Sequence, residues 1–220
     1  MILLIGSEKG GTGKSTVASN LAAMMAGDGY DVLLVDTDTQ ASVSDWAAIR
    51  NNNEGLSRLT TVQKTGKVHA DIARLKDKYD HIVIDAGGRD STELRSSLLA
   101  ADVCYMPITP STYDLWTVPR FYTLLDDARL INDRLTAYVL VNQASTHAMV
   151  NDHRDIERFL ADEDYDSFGL ANAVLKFRNA YKTAATRGKS VMELKSNGKS
   201  DEKAKTEMTN LYKEVMNHAN

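Results

Sequence analysis

Short runs of apolar residues recur along the 220-residue chain and are separated by longer stretches with helical spacing of apolar and polar positions. Most runs are apolar throughout, which is typical of parallel strands covered on both faces. We expect strands at residues 1–6, 31–36, 81–86, 102–108 and 136–142, with weaker candidates at 59–63 and 171–177. Alternating strands and helices predict an α/β fold with a doubly wound, mostly parallel sheet and helices on both faces.

The clearest helical pattern covers residues 14–29, where four apolar side chains share one face: Val17, Leu21, Met24 and Met25. The chain has no internal repeat, low-complexity segment or flexible linker, so we expect residues 1–220 to form one domain. The first residues, MILLIGSEKG, lack a basic region and are too short for a signal peptide or a membrane span.

Composition narrows the class of protein rather than its function. The net charge is −4, so a nucleic-acid or membrane surface would have to be a local basic patch. Cys104 is the only cysteine and lies in an apolar run, which excludes a disulfide framework and indicates a buried residue. A single thiol also fits a reducing compartment, so we expect a cytoplasmic protein.

A glycine-rich segment, SEKGGTGKST at residues 7–16, follows the first predicted strand and opens the first predicted helix. This order of strand, loop and helix is the context of a phosphate-binding loop, G-x-x-x-x-G-K-[ST]. Glu8 stands where the first glycine of that pattern belongs, and a second lysine, Lys9, follows it. Backbone N–H groups at Gly10, Gly11 and Gly13 would surround nucleotide phosphates.

The loop ends in two side chains with defined phosphoryl-transfer roles. Lys14 is expected to contact the β- and γ-phosphates, and the Ser15 hydroxyl is expected to ligate Mg²⁺. The sequence therefore predicts a nucleotide site that uses ATP or ADP with Mg²⁺ as cofactors.

Carboxylates follow two further predicted strands. Asp36 and Asp38 end the run at 31–36, and Asp85 ends the run at 81–86. Parallel strands present their carboxyl ends at one edge, so these groups should face the phosphate loop. We expect Asp85 to hold Mg²⁺ through water. We expect Asp38 to orient or deprotonate the attacking water and to lie at the metal site as well. Asp36 either takes part in this site or caps the following helix, and the sequence favours neither role over the other.

Four segments together resemble the ParA/MinD family of ATPases. EKGGTGKST matches the deviant Walker A motif K-G-G-x-x-K-[ST], VLLVDTDTQAS is similar to D-x-D-x-Q, and HIVIDAGG resembles the Walker B strand. MPITPSTYDLW resembles the P-x-x-P-S-x-x-D segment of short plasmid-partition ParA proteins. The similarity runs from residue 1 to about 194. One departure is Ala-Gly-Gly-Arg after Asp85, where Arg89 would either contact the γ-phosphate or lie on the surface.

The resemblance implies an ATP-closed sandwich dimer in which Lys9 contacts the other subunit's phosphates and acts in catalysis with Lys14 and Asp38. It also implies that Asn142 contacts adenine, although a turn role for this residue remains open. Nucleotide contacts are then expected from the whole loop: Lys9, Gly10, Gly11, Thr12, Gly13, Lys14, Ser15 and Thr16.

Members of the family act on DNA, on membranes, on metal–sulfur clusters or on the adaptor proteins of organelles. Among these targets, the sequence favours DNA. A cluster needs more thiolates than one cysteine supplies. The C-terminal residues 201–220 have an apolar face but mixed charges opposite it, so we expect them to pack on the sheet instead of binding a membrane.

Residues 176–205 contain nine basic and three acidic residues, whereas residues 152–166 contain seven acidic residues and two arginines. Four cations on a predicted helix and the loop after it would neutralise phosphates without reading bases: Arg178, Lys182, Arg187 and Lys189. A solvated basic surface is the alternative.

The resemblance therefore predicts an ATPase that dimerises with ATP, binds nonspecific DNA and drives plasmid or DNA partition when a small ParB-like centromere-binding protein stimulates hydrolysis. Two alternatives remain open. One is a ParA-like ATPase that positions an organelle or conjugation complex, and the other is a metabolic P-loop enzyme.

Overall fold

The computed structural model describes residues 1–147, 152–162, 165 and 168–219. Within these residues seven parallel strands form one sheet in the order β3-β2-β4-β1-β5-β6-β7. The strands are β1 (Ile2–Ile5), β2 (Val32–Asp36), β3 (Thr60–Gln63), β4 (His81–Asp85), β5 (Val103–Ile108), β6 (Thr136–Ala144) and β7 (Gly169–Lys176). All seven predicted strands and the doubly wound fold class are confirmed.

Helices follow the strands and cover both faces of the sheet. They are α1 (Lys14–Gly27), α2 (Ser42–Asn51), α3 (His69–Leu75), α4 (Thr92–Leu98), α5 (Thr112–Leu115), α6 (Val118–Arg129), α7 (Asp152–Asp162), α8 (Asn179–Ala185) and α9 (Lys199–Met216). Short 3₁₀ turns cover Val191–Glu193 and Asn217–Ala219.

Alternate side chains of every strand except the exposed edge strand β3 enter two separate cores, as the two-residue period of a strand requires. In β1, Leu3 and Ile5 pack with α1, α2, α8 and α9, whereas Ile2 and Leu4 pack with α3, α4, α6 and α7. Cys104 is fully buried in the second core, as predicted. The strands other than β3 are therefore apolar runs because both of their faces are covered.

The C-terminal helix α9 packs on the sheet, as predicted, through Met208, Leu211 and Val215. Its acidic residues have a further role at the sheet edge. Glu214 accepts hydrogen bonds from the Asn172 and Ala173 backbone nitrogens of β7 at 3.2 and 3.0 Å. Because unpaired edge N–H groups invite pairing with other chains, these bonds protect the β7 edge. No helix among the described residues is long and apolar enough to cross a bilayer.

His81, the first residue of β4, is buried with neither ring nitrogen hydrogen-bonded. Burial, with the Met1 ammonium group, lowers its pKa, and Asp80 only partly opposes this. The pKa of His81 is thus lower in the folded protein than in the unfolded chain, where it is about 6.5. The neutral imidazole contributes stability at pH values above about 6.5, and this stability is lost as the pH falls through the folded-state pKa.

We therefore expect His81→Phe to reduce the loss of stability between about pH 7 and about pH 5. The change is measured as the difference in urea midpoints at the two pH values. His147→Phe, at an exposed histidine, is the matched control and should behave as wild type. An unchanged pH dependence in His81→Phe would contradict this assignment.

Candidate nucleotide site

The glycine-rich loop leaves β1 at Ile5 and enters α1 at Lys14. Gly11 and Gly13 have φ angles of 81° and 88°, in the left-handed region that favours glycine. A Cβ on Gly13 would also lie 2.3 Å from Asn142 Nδ2, so only glycine fits there. Gly10 and Gly11 have open space around them and are exposed, which leaves their backbone accessible to a ligand.

Lys14 lies buried inside the loop. Its ammonium group donates to the Lys9 carbonyl at 2.8 Å and to Ser7 Oγ at 3.4 Å. Burial lowers its pKa, and the charges of Asp85 and Asp38 oppose that shift. A buried cation at the N-terminal end of a helix is suited to an anionic phosphate, and the two carboxylates keep this lysine protonated.

The end of β6 holds the loop in place. Asn142 Nδ2 donates to the Thr12 carbonyl at 2.6 Å, and Gln143 Nε2 donates to the Gly11 carbonyl at 2.8 Å. Gln143 has a φ of 54°, an unusual conformation for a residue other than glycine. In this structure Asn142 therefore binds the loop backbone, and adenine contact stays a prediction. Nothing in the local sequence signalled the role of Gln143.

The remaining loop side chains are internal or flank the helix. Thr12 is buried and its hydroxyl lies 3.0 Å from Ser7 Oγ, so it shapes the loop instead of facing solvent. Ser15 and Thr16 are half-buried in the first turn of α1. The Thr16 carbonyl accepts from Asn20 Nδ2 at 2.7 Å, which ties the first turn to the next.

Lys9 forms an ion pair with Asp114 of α5. The Asp114 carboxylate is almost fully buried and also accepts from Thr109 N at 2.7 Å and Thr109 Oγ1 at 2.6 Å. Burial alone would raise the pKa of Asp114, but the Lys9 and Thr109 donors outweigh it and hold the pKa below its usual range. The Lys9 side chain remains 40% exposed, so the second lysine is anchored but accessible.

Asp36 has a structural role. Its Oδ2 accepts from the Ser44 backbone nitrogen at 3.0 Å and the Ser44 hydroxyl at 2.8 Å, and its Oδ1 accepts from Asp38 N at 3.1 Å. The Ser44 N–H is one of the groups that the first turn of α2 cannot satisfy internally. Of the two interpretations left open for Asp36, the structure supports the helix cap.

Asp38 lies beyond this cap, half-buried, with Oδ1 accepting from Gln40 N at 3.0 Å. The loop after β4 passes beside it, because a Cβ on Gly87 would be 3.5 Å from Asp38 Cγ. Its second oxygen, Oδ2, accepts no hydrogen bond among the contacts resolved in the described part of the chain. Asp38 is thus placed to accept a proton or a water hydrogen.

Asp85 is buried, and neither carboxylate oxygen has a hydrogen-bond partner in the described structure. Burial raises its pKa to about 7; the neighbouring Ser15 hydroxyl opposes the shift without making a well-formed bond to either oxygen. A buried carboxylate without donors is suited to a cation. The described residues hold no cluster of three His, Cys, Asp or Glu ligands, so Mg²⁺ would need phosphate and water oxygens besides Ser15 and Asp85.

The Ala-Gly-Gly-Arg departure has a steric explanation. A Cβ on Gly88 would lie 2.7 Å from Gly10 N and 2.9 Å from the Lys9 carbonyl carbon. The loop after β4 therefore packs directly on the phosphate loop, which a larger residue would prevent. Arg89 is exposed and lines a cleft with Glu8 and Arg120, so the structure puts it on the surface.

The predicted basic patch is only partly free. Lys182 of α8 and Arg187 are exposed, and Lys189 is half-buried on the same loop. Arg178 differs, because its side chain is 7% exposed and its guanidinium pairs with both Glu207 oxygens at 2.9 and 2.5 Å. The structure does not support the predicted phosphate contact of Arg178, because Glu207 already binds its guanidinium and the pair anchors α9. Lys182, Arg187 and Lys189 remain as predicted DNA-binding residues.

Residues 3–191 match the family model of the CobQ/CobB/MinD/ParA nucleotide binding domain. The chain belongs to this family. It is 27% identical over 224 residues, 97% of this chain and 95% of its relative, to the maintenance of carboxysome distribution protein A of Halothiobacillus neapolitanus.

Two solved structures share the family's fold. A putative plasmid partition protein of Borrelia burgdorferi bound to AMPPNP has a TM-score of 0.69 and 19% identity, covering 97% of this chain and 98% of its own. The septum site-determining protein MinD of Pyrococcus horikoshii complexed with Mg-ADP has a TM-score of 0.71 and 20% identity, covering 97% and 95%. Nucleotide and Mg²⁺ are therefore ligands found among proteins of this fold.

Proposed function

We propose that the protein is an ATPase whose two subunits close over two ATP molecules, bind nonspecific DNA in that state and release it after hydrolysis. The observation that carries the proposal is Lys9, a second lysine on the phosphate loop that is 40% exposed and has an ion pair to Asp114. A cation that can leave its partner for a second subunit's phosphates supplies charge stabilisation in trans, as arginine fingers do.

Each subunit would contribute its own residues to the reaction. The loop backbone and Lys14 bind the phosphates, while Ser15 and Asp85 would hold Mg²⁺, which neutralises phosphate charge when bound. Asp38 orients the attacking water and accepts its proton. Gly88 packs tightly on Gly10, so a γ-phosphate that shifted the phosphate loop would also shift the loop after β4.

DNA binding is proposed for Lys182, Arg187 and Lys189. Three cations per subunit become six in a dimer, so affinity would rise steeply when ATP closes the two subunits. A ParB-like partner would then stimulate hydrolysis and release the dimer from DNA.

We expect the Lys182/Arg187/Lys189→Ala triple variant to lose at least about tenfold in DNA affinity in the ATP state, because six phosphate contacts give a salt slope of about −5. Binding to random duplex DNA is measured by fluorescence anisotropy over a range of salt concentrations. The control, Lys76/Lys78/Arg134→Ala, removes the same charge from exposed residues that precede strands β4 and β6.

The salt slope should flatten in the first variant alone. Equal loss in both triple variants would reduce the effect to net charge, and wild-type binding that ignores nucleotide or salt would contradict the proposal. ATPase activity that is indifferent to DNA would favour a metabolic enzyme.

A second candidate is the positioning of a protein body or organelle. It is favoured by the carboxysome-distribution relative, because the match covers 97% of this chain and 95% of that protein. The ATPase cycle would be the same, and only the cargo adaptor would differ. Pull-down with the protein held in its ATP-bound state distinguishes an adaptor that binds DNA from an adaptor that is associated with the shell of an organelle.

A further inference from the structure

The segment that carries two of the three proposed DNA-binding cations is bound to the interior of the protein. We call residues 187–194 the anchored segment. Its Gly188 has a φ of 63°, and a Cβ there would lie 2.4 Å from Arg50 N. The segment therefore packs against the last turn of α2 at a distance that only glycine permits.

Arg50 makes most of the polar contacts at this junction. Its side chain is fully buried and donates to the Gly188 carbonyl at 3.2 Å and to both Glu193 oxygens at 2.8 Å. Glu193 in turn accepts from Ser190 N at 2.8 Å, which closes the 3₁₀ turn. The guanidinium also lies over the Trp46 ring, 5.5 Å from the ring centre. The hydrogen bonds and this ring contact together fix its orientation.

A second anchor comes from α1. Asn20 is buried, accepts from Val191 N at 2.8 Å and donates to the Thr16 carbonyl at 2.7 Å. The anchored segment is thus bound to α1 through Asn20 and to α2 through Arg50, and Lys205 of α9 donates to the Leu194 carbonyl at its end at 2.8 Å.

Both helices begin at the candidate nucleotide site. Helix α1 opens with Lys14, and Asp36 binds the first turn of α2 at Ser44, beside Asp38. From Ser44 to Arg50 the helix rises about 9 Å, a short rigid distance. A shift of either helix start on nucleotide binding would displace the anchored segment at the far end.

We propose that Arg50, together with Asn20, is a positioning residue that couples the nucleotide site to the basic surface of the anchored segment. This inference rests on the proposed function, because the surface it positions carries Arg187 and Lys189. ATP sets the positions of the helix starts, and the two anchors transmit that setting to the two cations. DNA affinity therefore depends on nucleotide within each subunit, besides any gain from dimerisation.

The test compares Arg50→Lys and Asn20→Ala with wild type and with Arg58→Lys, which alters an exposed arginine eight residues later. Lysine keeps the charge of Arg50 but cannot bind Gly188 and both Glu193 oxygens at once. Two readouts are needed: hydrogen exchange of peptides covering residues 187–194 with and without AMPPNP·Mg²⁺, and anisotropy on random duplex DNA.

In wild type and Arg58→Lys, AMPPNP should change exchange in the anchored segment and raise DNA affinity. In Arg50→Lys and Asn20→Ala, AMPPNP should bind within about twofold of wild type, yet leave exchange there unchanged and DNA affinity about tenfold weaker. Folded anchor variants that keep both nucleotide responses would overturn the proposal.

Three other outcomes of these experiments also bear on the proposed coupling. If Arg50→Lys does not fold, as judged by circular dichroism, Asn20→Ala carries the test. If wild type binds no DNA but its anchored segment still responds to AMPPNP, the DNA function fails while coupling is judged by exchange alone. If the wild-type segment ignores AMPPNP, the coupling proposal is wrong whatever the DNA result.

Discussion

Lys9→Ala is expected to bind ATP·Mg²⁺ within about twofold of wild type while losing ATP-dependent dimerisation and about a thousandfold in hydrolysis rate. Nucleotide binding should survive because Lys14 and the loop backbone contact the phosphates within one subunit. Hydrolysis should fail because the charge that develops on the transferred phosphoryl group loses its cation in trans. The measurements are nucleotide titration, light scattering with AMPPNP, and phosphate release.

The variant also leaves Asp114 without its ammonium partner, so a control must separate the two effects. Asp114 keeps its Thr109 donors, and the Lys9→Ala/Asp114→Asn double variant removes the unpaired charge. If Lys9 acts across the dimer, the double variant stays as inactive as Lys9→Ala. Recovery of dimerisation in the double variant would show that the lysine serves only to neutralise Asp114. Lys67→Ala, at an exposed lysine, should match wild type.

The strands and the loop could be predicted because their signals are local. A strand buried on both faces is apolar at nearly every position, so the inner strands could be predicted from their apolar runs. The edge strand β3 is largely exposed and polar, and its signal in the sequence was accordingly weaker. The phosphate loop is likewise defined by residues within ten positions. Strand order was not predictable in the same way, since β4 inserts between β2 and β1 through contacts that periodicity does not encode.

The parts of the site that sequence reasoning missed depend on contacts between distant residues. Gln143 reaches Gly11 across 132 positions, and Arg178 pairs with Glu207 on helix α9. Gly88 looks like an ordinary loop glycine until its 2.7 Å approach to the phosphate loop is measured. A basic residue in a basic stretch gives no local sign that a carboxylate elsewhere already binds it.

Asp38→Asn and Asp36→Asn should separate chemistry from structure within one loop. Asp38→Asn is expected to reduce hydrolysis at least about a hundredfold, because the amide cannot accept the proton of the attacking water. Nucleotide affinity and melting temperature should stay near wild type, since Asp38 makes one side-chain hydrogen bond, from Gln40 N, in the described structure. ATP-bound dimers on DNA should accumulate, because the step that releases them is blocked.

Asp36→Asn should have the opposite profile. Its carboxylate accepts from Ser44 N, Ser44 Oγ and Asp38 N, so the amide weakens the cap of α2 and lowers the melting temperature. Hydrolysis per folded molecule should fall far less than in Asp38→Asn. The comparison uses phosphate release, scanning calorimetry and DNA retention on the same preparations. Wild-type hydrolysis in Asp38→Asn would remove Asp38 as the base, and a large loss confined to Asp36→Asn would transfer that role to Asp36.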